Sequence, residues 1–127
     1  MCSGLRSVRQ WTHNQTNMDR TIEALRVLTE EFTDPTYGDT IVAVELLNEP
    51  FPQQEWEVDF LKRFYQSAYT TVRQSAKHPG VVVAIDEAFQ GLREWDGFMT
   101  EPQWTGVALD TVSTHSLLKS LRGFAVY

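Results

Sequence analysis

The residues best placed to do chemistry are acids and one amide that come directly after short apolar runs: Asn48, Glu49, Asp86, Glu87 and Asp110. The apolar runs, residues 40–47, 81–85 and 107–109, are typical of parallel β-strands. Because parallel α/β folds carry their functional groups at the carboxyl ends of the strands, we expect these side chains to converge on one acidic rim. Such a rim suits acid–base chemistry on a neutral, polar substrate.

Of the three predicted strand ends, the one that carries Asn48-Glu49-Pro50 is the most informative. Apolar neighbours, for which Phe51 is the candidate, would raise the pKa of the Glu49 carboxyl by disfavouring its charged form. A carboxyl that keeps its proton can donate it to a leaving oxygen. The Asn48 amide can donate to a substrate hydroxyl. The alternative is a solvated loop whose acid serves only solubility, and a tripeptide alone does not decide between them.

The elements that position these residues alternate between helix and strand. An apolar period of 3.6 residues predicts a helix that starts with Thr16 or Asn17 as its N-cap and stops near Thr33. The same period predicts a second helix over 58–75, and a short third helix is expected over 92–99. Strands that alternate with helices predict a parallel sheet with right-handed crossovers, whose strands are covered on both faces.

Composition excludes several classes of function. The 127 residues include 11 Lys and Arg against 17 Asp and Glu, so the net charge of −6 disfavours binding to nucleic acid or to an anionic membrane. No apolar run reaches the ~18 residues of a membrane span, and no apolar segment typical of a signal peptide follows residues 1–6. The single cysteine, Cys2, excludes an internal disulfide and a cysteine-based zinc site. Neither a glycine-rich phosphate loop nor a metal-ligand spacing of histidines is present, so no cofactor and no metal is expected.

A family resemblance rests on four stretches. Val44-Glu45-Leu46-Leu47-Asn48-Glu49-Pro50 resembles the strand-four signature of glycoside hydrolase family five and, more narrowly, of the fungal exo-β-1,3-glucanases. Residues 11–21, 85–90 and 95–110 are similar to the segments that flank this strand in that group. The resemblance extends over about residues 3–111, in order and with similar spacing.

The resemblance implies an α/β fold that is part of a (β/α)8 TIM barrel, with about three of its eight βα units in residues 1–111. It implies a retaining hydrolase without a cofactor, in which Glu49 is the general acid/base and Asn48 binds the hydroxyl next to the anomeric carbon. The family's nucleophile is a glutamate at the end of strand seven, and no residue here matches it. Residues 112–127 depart from the family pattern.

The same resemblance gives candidate substrate-binding residues beside Asn48: Asp86, Glu87, Phe89, Asp110 and His115. The three acids are equally compatible with ordinary polarity at a strand end, and His115 is displaced from the position of the family's histidine. Large aromatic side chains near the rim either stack on sugar faces or pack between loop and helix: Phe51, Phe89, Trp95 and Trp104. Glu45 lies within a strand and faces either the barrel interior or the helices.

We therefore expect a fragment of an extracellular or cell-wall enzyme that cleaves glucose from the ends of β-1,3-glucan chains, inactive without the rest of its barrel. The alternatives are a truncated product that is non-catalytic or only binds glucan, and a fragment of a related family-five endoglucanase or mannanase. A small doubly wound ligand-binding domain is less favoured, because no glycine-rich loop follows a strand.

Overall fold

The structure, a computed structural model, describes residues 11–12, 14–37 and 40–111. It contains, in chain order, α1 (Gln15–Phe32), β1 (Ala43–Glu45), α2 (Glu55–Ser75), β2 (Val82–Asp86) and β3 (Val107–Asp110), with single 3-10 turns at Pro35–Tyr37 and Leu92–Trp95. Cys2, His115 and the tail from residue 112 onward lie outside the described residues. Among the described residues, no helix combines the length and the apolar character needed to cross a bilayer.

The three strands form one parallel sheet in the order β1-β2-β3, so β2 is central. Glu45 is paired with Ala84, Ala84 with Ala108, and Asp86 with Asp110. The prediction of an α/β chain with a parallel sheet is confirmed. The architecture is compatible with part of a barrel, although β1 covers only three residues of the predicted strand.

The two long helices occur where they were predicted, with different starts. The N-cap of α1 is Asn14, whose Oδ1 accepts a hydrogen bond of 2.9 Å from the backbone N–H of Thr16, so the predicted cap at Thr16 or Asn17 is wrong. The predicted end at Thr33 is confirmed. α2 begins about one turn before residue 58, and the third predicted helix is only a 3-10 turn.

The core lies on one face of the sheet. α2 packs against β2, and α1 packs along α2. The largest fully buried side chains of this core are apolar or aromatic: Leu46, Leu61, Phe64, Tyr65, Val72, Val83 and Ile85. Alternate strand residues supply the sheet's part of the core, as the two-residue period of a strand requires.

The opposite face of the sheet is formed by small and acidic residues, and it is called the open face below: Ala43, Glu45, Val82, Ala84, Asp86, Ala108 and Asp110. Most of these residues are exposed. The expectation that both faces are covered is therefore wrong for the described residues, because both long helices lie on the same side. Val82 is 36% exposed although it belongs to the central strand.

Arg73, near the C-terminal end of α2, hydrogen-bonds to the backbone just before β2 and β3 begin. Its guanidinium donates to the carbonyl oxygens of Val81, Thr105 and Gly106, the last two at 2.7 and 2.9 Å. Gly106 has φ +65°, and a Cβ there would lie 2.7 Å from the Arg73 guanidinium. Only glycine fits both the backbone conformation and the close approach.

Tyr65, two turns earlier on α2, hydrogen-bonds to the backbone at the C-terminal end of β2. Its hydroxyl donates to the carbonyl oxygen of Asp86 at 3.0 Å, and the side chain is fully buried. α2 therefore holds β2 at both ends, and the position of Asp86 depends on that attachment.

We expect Arg73→Met to lower the free energy of unfolding by about 2 kcal/mol, since it removes hydrogen bonds from a charged donor to three carbonyl groups. Urea denaturation followed by circular dichroism measures this. Arg20→Met, at an exposed position of α1, is the matched control and should change stability by less than about 0.5 kcal/mol. Equal effects of the two substitutions would contradict the role of Arg73.

Candidate active site

Three carboxylates from three strands meet on the open face. One carboxylate oxygen each from Glu45, Asp86 and Asp110 lies within 4.8 Å of the others. Asp86 is in register with Asp110, and Glu45 reaches toward them across the small side chains of Ala84 and Ala108. The predicted convergence of Asp86 and Asp110 is confirmed, and the side to which Glu45 points, left open by the sequence, is the open face.

Asp86 is the most buried member of this cluster, with 1% of its surface exposed. Its Oδ1 accepts a hydrogen bond of 2.6 Å from the backbone N–H of Ala88, and the backbone N–H of Glu49 also interacts with the carboxylate. Burial raises the pKa of Asp86, and the charges of Asp110 and Glu49 raise it further, while the N–H groups of Ala88 and Glu49 partly offset this. The carboxyl therefore holds its proton more tightly than a solvated aspartate does.

Glu45 shows the same direction of shift. Partial desolvation raises its pKa first, followed by the charges of Asp110, Asp86 and Glu49. The charges of Asp110 and Glu49 thus lie close enough to disfavour the ionisation of both Glu45 and Asp86.

Glu49 and Asn48 lie in the loop after β1, at the carboxyl end of the sheet, and both are exposed. Glu49 has φ +46°, in the left-handed region that non-glycine residues rarely adopt. The expected apolar wall around Glu49 is absent from the described residues, because Phe51 is itself 50% exposed and no described helix covers the open face. Such strained conformations persist where the surrounding structure enforces them, and they concentrate at functional sites.

The loop after β2 is ordered by Glu87. Its carboxylate accepts from the backbone N–H of Gly91 at 2.9 Å, and its carbonyl oxygen accepts from the Trp95 indole at 2.8 Å. Glu87 is buried and does not join the acidic cluster. Its substrate-binding role stays a prediction, whereas its part in shaping this loop is direct.

The aromatic candidates divide into two pairs. Trp95 is buried in the core, and Trp104 packs edge-on against Tyr69 at 5.0 Å between ring centroids, so these two side chains serve packing. Phe51 and Phe89 are exposed and make an edge-to-face contact at 5.5 Å. This contact joins the loops after β1 and β2 and leaves ring surface accessible beside the open face.

Glu57 was missed by the sequence analysis, although it shapes the loop that follows Glu49. Its carboxylate accepts from the backbone N–H groups of Gln53 and Gln54 at 2.7 and 3.1 Å and from the Thr12 hydroxyl at 2.7 Å. These bonds are those of a capping box, in which a glutamate in the first turn accepts from backbone N–H groups at the start of its helix. The three-residue spacing between Gln54 and Glu57 could have predicted it from the sequence.

The raised pKa values of Asp86 and Glu45 predict a pH dependence of stability. Between their ordinary values near ~4 and the raised values, the folded protein binds more protons than the unfolded chain, so their contribution to stability falls as pH rises through that window. We therefore expect Glu45→Gln and Asp86→Asn to stabilise the protein more at about pH 7 than at about pH 4.5, relative to the unmodified chain.

Urea denaturation across this pH range measures the difference, and Asp59→Asn, on the exposed side of α2, is the control. Comparison at each pH is needed because the ion pair and hydrogen bonds of Asp34 lower its pKa and act in the opposite direction. If the difference in free energy of unfolding between a variant and the unmodified chain is the same at every pH, the raised pKa of the substituted acid is contradicted.

No family model matches the chain. Among curated proteins, it is 34% identical over 94 residues to a glucan 1,3-beta-glucosidase from Schwanniomyces occidentalis, a match that covers 74% of this chain and 21% of the relative. It is 34% identical over 110 residues to a glucan 1,3-beta-glucosidase from Yarrowia lipolytica, covering 85% of this chain and 25% of the relative. The glucan 1,3-beta-glucosidase I/II of Saccharomyces cerevisiae is 33% identical over 110 residues, covering 85% of this chain and 24% of the relative.

The chain thus spans about a quarter of the length of the curated relatives that it matches. The matches agree with the resemblance drawn from the stretch around Asn48-Glu49-Pro50. Over most of its length, this chain is related to the glucan 1,3-beta-glucosidases.

Proposed function

We propose that the chain supplies the acid/base part of an active site that hydrolyses β-1,3-glucan, with Glu49 as the general acid/base. The observation that carries the proposal is the position of Glu49: it is exposed at the carboxyl end of a parallel sheet, in a strained conformation, in a chain related to glucan 1,3-beta-glucosidases. In such folds the carboxyl ends of the strands carry the chemistry.

The proposed reaction proceeds with retention. Glu49 donates its proton to the glycosidic oxygen of the leaving sugar while a second carboxylate attacks the anomeric carbon. In the second step Glu49 removes a proton from water, and the water displaces the enzyme from the anomeric carbon. We assign the nucleophile to a glutamate outside residues 1–127, in a (β/α)8 barrel of glycoside hydrolase family five of which this chain forms about three units. The open face then belongs to the barrel interior.

Asn48, directly before Glu49, donates from its amide to the hydroxyl next to the anomeric carbon. The accessible surface of Phe51 and Phe89 supports a role in stacking against an apolar sugar face, since aromatic rings offer flat apolar area. The substrate-binding roles predicted for Asp86 and Asp110 belong to the same proposal, because both carboxylates lie beside Glu45 on the open face. Secretion or attachment to the cell wall fits this activity.

Glu49→Gln tests the assignment in a chimera in which residues 11–111 replace the matching segment of a glucan 1,3-beta-glucosidase. We expect hydrolysis of β-1,3-glucan to fall by about 10²–10⁴-fold. The loss in kcat/KM should be much smaller with a dinitrophenyl glucoside, because kcat/KM at low substrate concentration reports the first step and that leaving group departs without protonation. Initial rates of sugar and dinitrophenol release measure the two reactions.

Glu55→Gln is the matched control, since Glu55 is an exposed acid at the start of α2, and it should leave both rates within about twofold. An equal loss on both substrates, or none, would show that Glu49 is not the proton donor.

The 127-residue chain by itself should release no glucose from β-1,3-glucan, because a retaining reaction needs a second carboxylate about 5–5.5 Å from the first, on the far side of the sugar. Glucose assays on the purified chain check this. Release of glucose that disappears in Glu49→Gln would refute the assignment of the nucleophile to a residue outside the chain.

A further inference from the structure

A motif with no part in glucan hydrolysis lies at the start of α1. Asn14-Gln15-Thr16 is the only triplet of the 127 residues in which a Ser or Thr stands two positions after an asparagine. In proteins that pass through the secretory pathway, such a triplet accepts an N-linked glycan, provided that its middle residue is not proline. The other asparagines, Asn17 and Asn48, are followed at that position by an acid and a proline. We propose that Asn14 is an N-glycosylation site.

The triplet lies where a glycan has room. Asn14 is the N-cap of α1, Gln15 and Thr16 are the first two residues of the helix, and all three are exposed. The nearby side chains of Asp19 and Arg20 are exposed as well, and Asp19 accepts a hydrogen bond of 2.8 Å from the Gln15 amide. A bulky, strongly hydrated group is compatible with such a polar surface.

The first turn of α1 also differs from the part of the helix that a larger protein is expected to cover. The large apolar side chains that α1 exposes lie in its second half, at Val27, Leu28 and Phe32. We expect a neighbouring element to pack there, because burial of apolar surface drives such contacts. Gln15 and Thr16 offer only polar side chains at the other end. In the proposed barrel the helices form the outer ring, so the triplet stays accessible.

The helix cap and the glycan use different atoms of the Asn14 side chain. Its Oδ1 accepts the hydrogen bond of 2.9 Å from the backbone N–H of Thr16, whereas an N-linked glycan is joined to Nδ2. The glycosylated side chain is still an amide with a carbonyl oxygen. Modification therefore retains the cap, whose loss costs about 1 kcal/mol.

The proposed reaction is a group transfer from an oligosaccharide linked to a lipid diphosphate, the donor in the lumen of the endoplasmic reticulum. Nδ2 of Asn14 attacks C1 of the first sugar, and a C–N bond forms as the bond between C1 and the diphosphate oxygen breaks. The lipid diphosphate leaves, and Nδ2 gives up one of its two protons. The inference rests on the secretion proposed above, because the donor is lumenal, but it does not depend on the role of Glu49.

Translation of the 127-residue chain behind a cleavable signal peptide, in the presence of microsomes from the endoplasmic reticulum, tests the site. Chains that resist added protease have entered the lumen, and only these are counted. We expect them to migrate more slowly on a denaturing gel by the mass of one oligosaccharide. Peptide N-glycosidase should reverse the shift, and because it converts the glycosylated asparagine to aspartate, mass spectrometry then locates the site at residue 14.

Variants separate the motif from the helix cap. Thr16→Ala and Asn14→Asp should both abolish the shift, although each retains a side chain that can cap α1 at residue 14. Thr16→Ser should retain the shift, and Asn17→Gln, outside the triplet, is the matched control and should retain it as well. Protease-protected chains without a shift, or a shift that persists in Asn14→Asp, would overturn the proposal. Neither outcome bears on hydrolysis of glucan, which the Glu49→Gln chimera tests separately.

Discussion

The attachment of α2 to both ends of β2 is the constraint on which the site depends. Arg73 binds the carbonyl groups where β2 and β3 begin, and Tyr65 binds the carbonyl group where β2 ends. The intervening stretch of α2 is packed into the core without exposed surface at Ala68 and Val72. Because β1 and β3 take their register from β2, the helix fixes all three strand ends. The functional edge of the sheet is thereby positioned by a helix on its opposite face.

This division of labour explains the composition of the strands. Positions that face α2 carry Val83 and Ile85, which contribute to burial, whereas the alternate positions carry alanine or an acid except at Val82. Small residues on the open face leave room above the sheet, and Glu45 uses that room to approach Asp86. A larger side chain at Ala84 would fill this space and separate the carboxylates without disturbing the core.

The sequence allowed the helices, the parallel strands and the convergence of the acids to be predicted, because each follows from a local period or from the strand ends. The N-cap at Asn14 depends on which side chain reaches a free N–H, and Thr16 matched the same pattern. The direction of Glu45 depends on pairing with β2, which a single strand does not encode. Glu49 and the open face are exposed because both amphipathic helices pack on the other face of the sheet. The sequence of an apolar strand does not distinguish a strand covered on one face from a strand covered on both.

At Glu49 the left-handed backbone conformation lowers stability, whereas the proposed reaction requires the carboxylate at the same position. A non-glycine residue with φ +46° forfeits about 1 kcal/mol that glycine would recover. Selection for a more stable chain would therefore favour glycine at 49, and that change removes the carboxylate. An evolutionary or laboratory search that rewards stability alone drifts toward an inert protein at this position, and only pressure on the reaction retains the acid.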